Sequence, residues 1–151
     1  MANQQFIEKV GKAAKKYYPQ YKILPSLTIA QAILESRWGK SRLAVECHNY
    51  FGMKWVKGCG CDYKAFKTGE QRPDGTRYTI VSKFRSYKTM SEGIKGYYQF
   101  LSYGRYKNLR GVKDYKKACR LIKEDGWATS LNYTKNLIAL IQQHHLERFD
   151  T

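Results

Sequence analysis

The sequence predicts an α+β fold that is mostly helical and carries one small antiparallel β-hairpin lobe after the second helix. Apolar residues recur at helical spacing before residue 40 and after residue 90, whereas the stretch between them alternates and carries turn signals. The 151 residues contain no repeat, low-complexity run or linker, and this length is typical of one domain. We therefore expect a single domain over residues 1–151, with the β-lobe at about 48–88.

Two helices are predicted before the lobe. The first covers residues 3–18, where "YPQYKILP" is expected to end it. Its apolar stripe consists of Phe6, Val10, Ala13 and Tyr17. The second runs roughly over 26–38, with Ser26 as the expected N-cap and Gly39 at its end.

The lobe is predicted from its turn sequence. In "RPDG" at 72–75, proline presets one backbone dihedral and glycine accepts a positive one. The flanking segments "DYKAFK" and "TRYTIVSKFRSY" are strand candidates, so we expect a hairpin around 62–87. One face of it should be packed, through Tyr78, Ile80 and Phe84.

Helical spacing returns after the lobe in three segments. The stripes consist of Ile94, Tyr97, Tyr98 and Leu101; then Tyr115, Ala118, Cys119 and Ile122; then Leu137, Ile138, Leu140 and Ile141. These stripes predict three more amphipathic helices.

The second helix is apolar almost all round, and such a helix is normally buried. Thr28, Gln31 and Glu35 share its one narrow polar seam, at spacing i, i+3, i+7. Burying an acid costs free energy unless it is paired or protonated, and desolvation raises the pKa of a carboxyl group. A carboxyl group that keeps its proton near neutral pH can donate it to a leaving group. Glu35 is therefore either a general acid or a buried acid that pairs with an arginine or caps a helix.

The chain is strongly basic, with 28 Lys and Arg against 12 Asp and Glu and a formal net charge of +16. Such a charge concentrates polyanions, which include nucleic acid, anionic membrane and anionic cell-wall polymers. No segment has eighteen consecutive apolar residues, so no membrane span is predicted.

The four cysteines and three histidines do not form a metal-binding pattern. Cys59 and Cys61 are separated by one residue, a spacing that is awkward for a mutual disulfide. We expect no disulfide framework, no metal and no cofactor.

"PSLTIAQAILESRWGKS" followed by "HNYFGMK" resembles the signature of glycoside hydrolase family 73, the peptidoglycan N-acetylglucosaminidases of autolysins and phage endolysins. "TGEQRPDG" and "KFRSYKT" are similar to its β-lobe, and "GWATSLNYTKNL" resembles its C-terminal Tyr-Ala-Thr-Asp motif. These motifs stand in the family's order over roughly residues 23–140. The resemblance implies a lysozyme-like fold and an endo-β-N-acetylglucosaminidase that hydrolyses the glycan strand of peptidoglycan.

Position by position, the resemblance implies that Glu35 is the general acid. Glu70, at the mouth of the hairpin, matches a second carboxylate that would activate a water and give inversion. Alternatively, Glu70 is an exposed loop residue, and the substrate's acetamido group acts as the internal nucleophile. Trp127 and Ser130 stand where the motif has Tyr and Asp, so a role that needs a phenol oxygen is lost here unless Tyr133 supplies it.

Candidate substrate contacts are Gln31, Asn49, Phe51, Trp127 and Tyr133. Gln31 either orients Glu35 or touches an acetamido group, unless it only hydrogen-bonds within its helix. Asn49 and Phe51 match an N-x-F-G element that shapes the cleft wall. Trp127 is either a sugar-stacking residue or a packed aromatic.

Two other functions fit the sequence. A lytic transglycosylase or muramidase on the same polymer shares the lysozyme-like layout and one essential Glu. A polyanion- or nucleic-acid-binding module fits the basic charge with interleaved Tyr, but no recognised motif is present. We expect a monomer whose partners are peptidoglycan and anionic wall polymers, with no specific nucleic acid.

The expected place of action is the bacterial cell wall. The N-terminus "MANQQFIEKV" lacks an apolar signal core, which indicates cytoplasmic synthesis with holin-type release, or a catalytic domain trimmed from a longer protein.

Overall fold

The computed structural model describes residues 3–151, and its element order matches the predicted α+β class. In chain order its elements are α1 (Asn3–Tyr21), α2 (Pro25–Ser36), α3 (Arg42–Cys47), β1 (Asp62–Gln71), β2 (Arg77–Ser86), α4 (Met90–Leu101), a 3₁₀ helix (Gly104–Leu109), α5 (Tyr115–Glu124), α6 (Tyr133–His144) and a second 3₁₀ helix (Leu146–Asp150). The two strands form one antiparallel sheet. Among these residues no helix combines the length and the apolar character needed to cross a bilayer.

Helix α2 lies at the centre of the core, and residues 25–33 are buried on every side. It packs against α1, α5, α6 and the C-terminal 3₁₀ helix. Ser26 is not the N-cap that the sequence predicted, because Pro25 already occupies the first turn. Instead the Ser26 amide and hydroxyl donate to the two carboxylate oxygens of Asp150, at 2.8 and 2.6 Å. Asp150, which is distant in sequence, thus accepts hydrogen bonds from groups at the start of α2 that have no partner within the helix.

The end of α2 comes at Ser36, before the predicted end near Gly39. Arg37 adopts a left-handed backbone with φ of 50°, which stops the helical hydrogen bonding. The Ser36 hydroxyl donates to Ala32 O and accepts from the Gly39 amide at 2.8 Å. This tight end places Glu35 in the last turn of α2.

Helix α1 runs past Pro19 to Tyr21, so the predicted break after residue 18 is wrong. Pro19 lies in the last turn, where its missing N–H removes only one hydrogen bond. Lys22, with φ of 57°, ends the helix instead.

The hairpin is confirmed, with Asp62 paired to Ser86 and Glu70 to Tyr78. The predicted face is packed only in the lower half of the hairpin, where Phe66 is 8% exposed, whereas Tyr78 and Ile80 nearer the tip are each 37% exposed. The lower half is anchored by the Arg85 amide, which donates to Met53 O at 3.1 Å, and by Arg42 of α3, whose guanidinium lies 4.9 Å from the Phe66 ring centroid. Residues 71–81 are all exposed, so toward the tip alternation in the sequence does not become burial.

The three later helices bury their predicted stripes. Fully buried members include Ile94, Tyr97, Tyr98, Leu101, Ala118, Cys119, Ile122, Leu137 and Ile141, whereas Ile138 and Leu140 are partly buried. Helix α4 approaches the loop after α3 closely at Gly93, where an added Cβ would lie 2.1 Å from His48 O. This contact fixes the loop that forms one wall of the site.

Candidate active site

Glu35 lies half-buried on the wall of a cavity of about 460 Å³ between the helical body and the base of the hairpin. The rest of the lining comes from the loop at 51–54, Val56, Arg85, Phe100, Tyr106 and Trp127. The seam of α2 therefore does end in an acid that faces open space, as its sequence position indicated.

The two oxygens of the Glu35 carboxyl group have different surroundings. Oε2 accepts a hydrogen bond from the Tyr133 hydroxyl at 2.7 Å and a longer one from the Trp127 indole N–H at 3.4 Å. Oε1 has no protein donor among residues 3–151, and it is not sealed from solvent. The arrangement fixes one oxygen and leaves the other without a protein partner among the described residues.

A chain of hydrogen bonds runs behind Glu35 and points toward it. The Tyr97 hydroxyl donates to Gln31 Oε1, and Gln31 Nε2 donates to the Tyr133 hydroxyl at 3.1 Å. Because that hydroxyl oxygen already accepts from Gln31, its own proton is directed to Glu35. Burial, followed by the charge of Glu35, raises the pKa of Tyr133, and burial likewise raises the pKa of Tyr97. Both phenols therefore keep the protons that the chain requires.

Gln31 is 0% exposed and does not line the cavity. Its amide bridges two tyrosines rather than reaching the space beside Glu35. Its partners lie on α6 and α4, so the hydrogen bond within its own helix that the sequence also allowed is wrong. Of the two remaining roles, this position favours orienting the acid, through Tyr133.

Trp127 both packs and faces the acid. Its ring lies edge-on to three other rings, with centroids 6.0 Å from Tyr97, 5.9 Å from Phe100 and 6.1 Å from Tyr106. The same residue lines the cavity and donates to Glu35. The phenol oxygen that the Trp substitution removes from the motif is present at the acid as the Tyr133 hydroxyl.

Asn49 is buried, and its side chain is fully engaged by the protein's own backbone. Its Nδ2 donates to Met53 O and Arg85 O at 2.9 and 3.0 Å, and its Oδ1 accepts from the Met53 amide at 3.1 Å. The structure places Asn49 behind the cavity wall, where it ties the loop to β2. Phe51 forms the wall itself, stacked on Tyr97 with ring centroids 4.0 Å apart.

Glu70 lies apart from this cavity. It is close to the tip of the hairpin, opposite Tyr78, and lines a separate depression with residues 69–71 and 77–79. Tyr78 is seven residues along β2 from Arg85, a strand length of roughly 23 Å at the usual rise per residue. The structure does not bring the two predicted carboxylates together.

Arg85 is a site residue that the sequence did not single out. It is 8% exposed, its Nε donates to Lys54 O at 3.0 Å, and its guanidinium lies 5.5 Å from the Phe100 ring centroid. It lines the Glu35 cavity and an adjoining cavity of about 700 Å³ that contains Lys57, Tyr103 and Arg105. The alternation of β2 predicted Phe84 inside and Arg85 outside, whereas Arg85 is the more buried of the two.

The structure combines a helical body with a small β-lobe, and the carboxyl group at the end of a buried helix opens to the groove between these two parts. This combination defines a lysozyme-like glycoside hydrolase. Residues 11–146 match the protein family described as mannosyl-glycoprotein endo-β-N-acetylglucosaminidase. The chain therefore belongs to this glucosaminidase family, glycoside hydrolase family 73, and the resemblance seen in its motifs is confirmed.

Similar proteins come from several bacteria. The exo-glucosaminidase LytG of Bacillus subtilis is 35% identical over 97% of this chain, and the chain covers 53% of that protein. The catalytic domain of the Listeria monocytogenes autolysin Auto is 30% identical, with a TM-score of 0.86 over 98% of this chain and 87% of that domain. The glycoside hydrolase domain of Salmonella typhimurium FlgJ, in its C-terminally truncated form, shares the fold, with a TM-score of 0.79, 24% identity and coverage of 95% and 98%. The chain spans about half the length of the curated relative LytG.

Proposed function

We propose that the protein hydrolyses the glycan strand of bacterial peptidoglycan on the reducing side of N-acetylglucosamine, with Glu35 as the general acid. The observation that carries this proposal is the asymmetry of the Glu35 carboxyl group at the cavity wall, with Oε2 held by two donors and Oε1 without a donor among the described residues. The names of its relatives, which include a glucosaminidase, an autolysin and a peptidoglycan hydrolase, support the substrate.

In the proposed step, Glu35 Oε1 gives its proton to the glycosidic oxygen. The bond from that oxygen to the anomeric carbon breaks, and its electron pair stays with the departing sugar. Glu35 becomes negatively charged as the proton leaves, and the hydrogen bonds from Tyr133 and Trp127 strengthen at that moment. The two donors thus stabilise the transition state more than the ground state, which is what accelerates a reaction.

The sugar cation must then receive an oxygen. The place of Glu70 near the hairpin tip favours the route in which the substrate's acetamido group attacks first and water opens the resulting ring, with retention of configuration. A hairpin that closed over the groove would instead bring Glu70 to the water and invert the configuration. NMR of the anomer first formed distinguishes the two routes, and Glu70→Gln would abolish activity only in the second.

Endo-action is supported by the shape of the groove. The Glu35 cavity and the adjoining 700 Å³ cavity share Val56, Arg85, Phe100 and Tyr106, so the open space continues past the acid. A long strand can therefore lie across the site. Digestion of purified glycan strands should give a broad distribution of lengths at early times, whereas steady release of terminal sugars alone would indicate exo-action.

Glu35→Gln tests the acid directly. Loss of general acid catalysis should lower activity on purified cell wall by about 10²- to 10⁴-fold. The glutamine carbonyl can still accept from Tyr133, so circular dichroism and the melting temperature should change little. Glu124→Gln, at an exposed glutamate on α5, is the matched control and should keep full activity. Unimpaired lysis by Glu35→Gln would refute the assignment.

Mass spectrometry of the digested wall identifies the bond. Reducing-end N-acetylglucosamine supports the proposal. Anhydro-muramic ends would indicate a lytic transglycosylase, and reducing-end N-acetylmuramic acid would indicate a muramidase, since three relatives from Lactococcus lactis are named as probable N-acetylmuramidases.

We further propose that the net charge of +16 retains the protein, as a monomer, on anionic wall polymers. Attraction between exposed charges is screened by salt, so binding to purified wall should weaken severalfold between low and high ionic strength. Binding that did not respond to salt would contradict this part of the proposal, and sedimentation equilibrium tests the monomer.

A further inference from the structure

A loop that contains two cysteines forms the rim of the groove beside the Glu35 cavity. Residues 56–59 of this loop line the adjoining 700 Å³ cavity, together with Arg85 and Tyr106, which also line the cavity at Glu35. Cys59 and Cys61 lie in a second, smaller depression with Tyr87. The loop therefore connects two thiols to the wall of the proposed substrate groove.

The thiols of Cys59 and Cys61 are in direct contact. Their Sγ atoms are 3.0 Å apart, although one intervening residue makes such pairing awkward in an extended chain. Gly60, with φ of 80°, provides the bend that brings them together, because only glycine adopts this conformation without strain. The Trp55 indole N–H donates to Cys61 O at 2.9 Å and holds the end of the loop. A disulfide bond is about 2.05 Å long, so closure needs a movement of about 1 Å.

The two thiols differ in reactivity, and Arg85 lies beside them. Partial burial acts to raise the pKa of Cys59, but hydrogen bonds, first from Cys61, and the charge of Arg85 lower it below its ordinary value. Burial and the neighbouring Cys59 raise the pKa of Cys61 to about 11. Since the thiolate is the nucleophile, Cys59 is the attacking sulfur and Cys61 the resolving one.

We propose that Cys59 and Cys61 are a redox-active dithiol that closes to a disulfide by exchange with a small-molecule disulfide and thereby stiffens the rim of the groove. The Cys59 thiolate attacks one sulfur of the reagent RSSR, which forms a mixed disulfide and releases RS⁻. The Cys61 thiolate then attacks Cys59 Sγ and releases the second RS⁻. The pair loses two electrons and two protons, and RSSR becomes two RSH.

The other cysteines provide an internal comparison. Cys47 and Cys119 are 0% exposed, and burial raises the pKa of Cys119 to about 12. These two thiols should stay unreacted in the folded protein.

Formation of the Cys59–Cys61 disulfide is tested on the whole chain in glutathione buffers that contain an increasing fraction of oxidised glutathione. The products are identified by intact-protein mass spectrometry. The wild type should lose two hydrogens and show no stable glutathione adduct. Cys61→Ser should stop at one glutathione on Cys59, and Cys59→Ser should react far more slowly. A wild type that stays reduced, or that accumulates the adduct, would overturn the proposal.

The effect on the groove rests on the proposed function, and it needs a separate measurement. Oxidised and reduced protein should differ in KM for soluble glycan fragments by several-fold, with kcat within twofold, because Glu35 is not part of the loop. The double variant Cys59→Ser/Cys61→Ser should show one KM in both buffers. Equal kinetics in both states would overturn this part. A protein without glycosidase activity would instead refute the proposed function and leave the mass measurement valid.

Discussion

Tyr133→Phe removes a single oxygen from the centre of the hydrogen-bond chain behind the proposed acid. The variant loses the 2.7 Å bond to Glu35 and leaves Gln31 Nε2, at a residue that is 0% exposed, without its acceptor. A hydrogen bond to the proposed acid in its neutral form contributes about 0.5–1.5 kcal/mol, and an unpaired buried donor costs about 1–3 kcal/mol. Because the two terms share one atom and Glu35 can recruit water, we expect the free energy of unfolding to fall by about 1–3 kcal/mol.

Catalysis should fall as well. If the bond to Glu35 is worth about 1.5–3 kcal/mol only when the carboxylate is charged, its loss lowers kcat by about 10- to 100-fold. Urea unfolding gives the free energy of unfolding. The loss of turbidity of purified cell wall, with each variant at the same enzyme concentration, gives the rate.

Tyr97→Phe is the matched control. It leaves Gln31 Oε1 without the Tyr97 donor, but it keeps the contact between Tyr133 and Glu35. Its loss of stability should be similar and its loss of kcat much smaller. In a Glu35→Gln background, Tyr133→Phe should have little further effect on kcat, since the donor acts through the acid. An equal kcat loss in both backgrounds, or from Tyr97→Phe, would show that Tyr133 does not act on catalysis through Glu35.

Three further predictions concern packing and charge. Trp127→Ala opens a void among three aromatic rings and should cost about 3–5 kcal/mol in urea unfolding, with Trp127→Tyr costing clearly less; equal costs would contradict the packing role. Gly93→Ala forces a methyl group against His48 O and should cost about 1–3 kcal/mol, and an unchanged melting temperature would show that α4 is not held there. Burial raises the pKa of Asp150 above its ordinary 3.8, although the Ser26 bonds oppose the shift. The folded state then binds this proton more tightly, so stability should fall as pH rises from about 3.8 to the raised value. Asp150→Asn should lack that decline in pH-stepped unfolding, and an identical slope in both proteins would exclude Asp150 as its source.

Local periodicity was sufficient for much of the fold. The stripes of α4, α5 and α6 lie in the core because a helix with one apolar face has only one way to bury it. The polar seam of α2 likewise pointed to Glu35, since an acid on an otherwise buried helix needs a reason to be there.

Contacts between residues that are distant in sequence could not be predicted from local periodicity. Tyr97 and Tyr133 meet Gln31 across 66 and 102 residues of chain, so no spacing rule links them. In the sequence, Tyr97 is only one more member of the apolar stripe of α4. The packed face of the hairpin is shorter than predicted, because alternation tells which residues share a face but not how far another layer covers it. Arg85 was missed for the same reason.

The sparse cover of the hairpin has a consequence for how the protein behaves in concentrated solution. Toward the tip from Lys83, whose carbonyl accepts from the Trp55 amide, no other strand of residues 3–151 pairs with the outer edges of the hairpin, and such edges are the usual starting point for self-association. Lys67, Arg77 and Lys83 are exposed basic residues on these strands, whereas Lys64 is paired with Glu46. Two such lobes repel each other before their backbones can pair, so replacing these three residues by neutral ones should increase self-association.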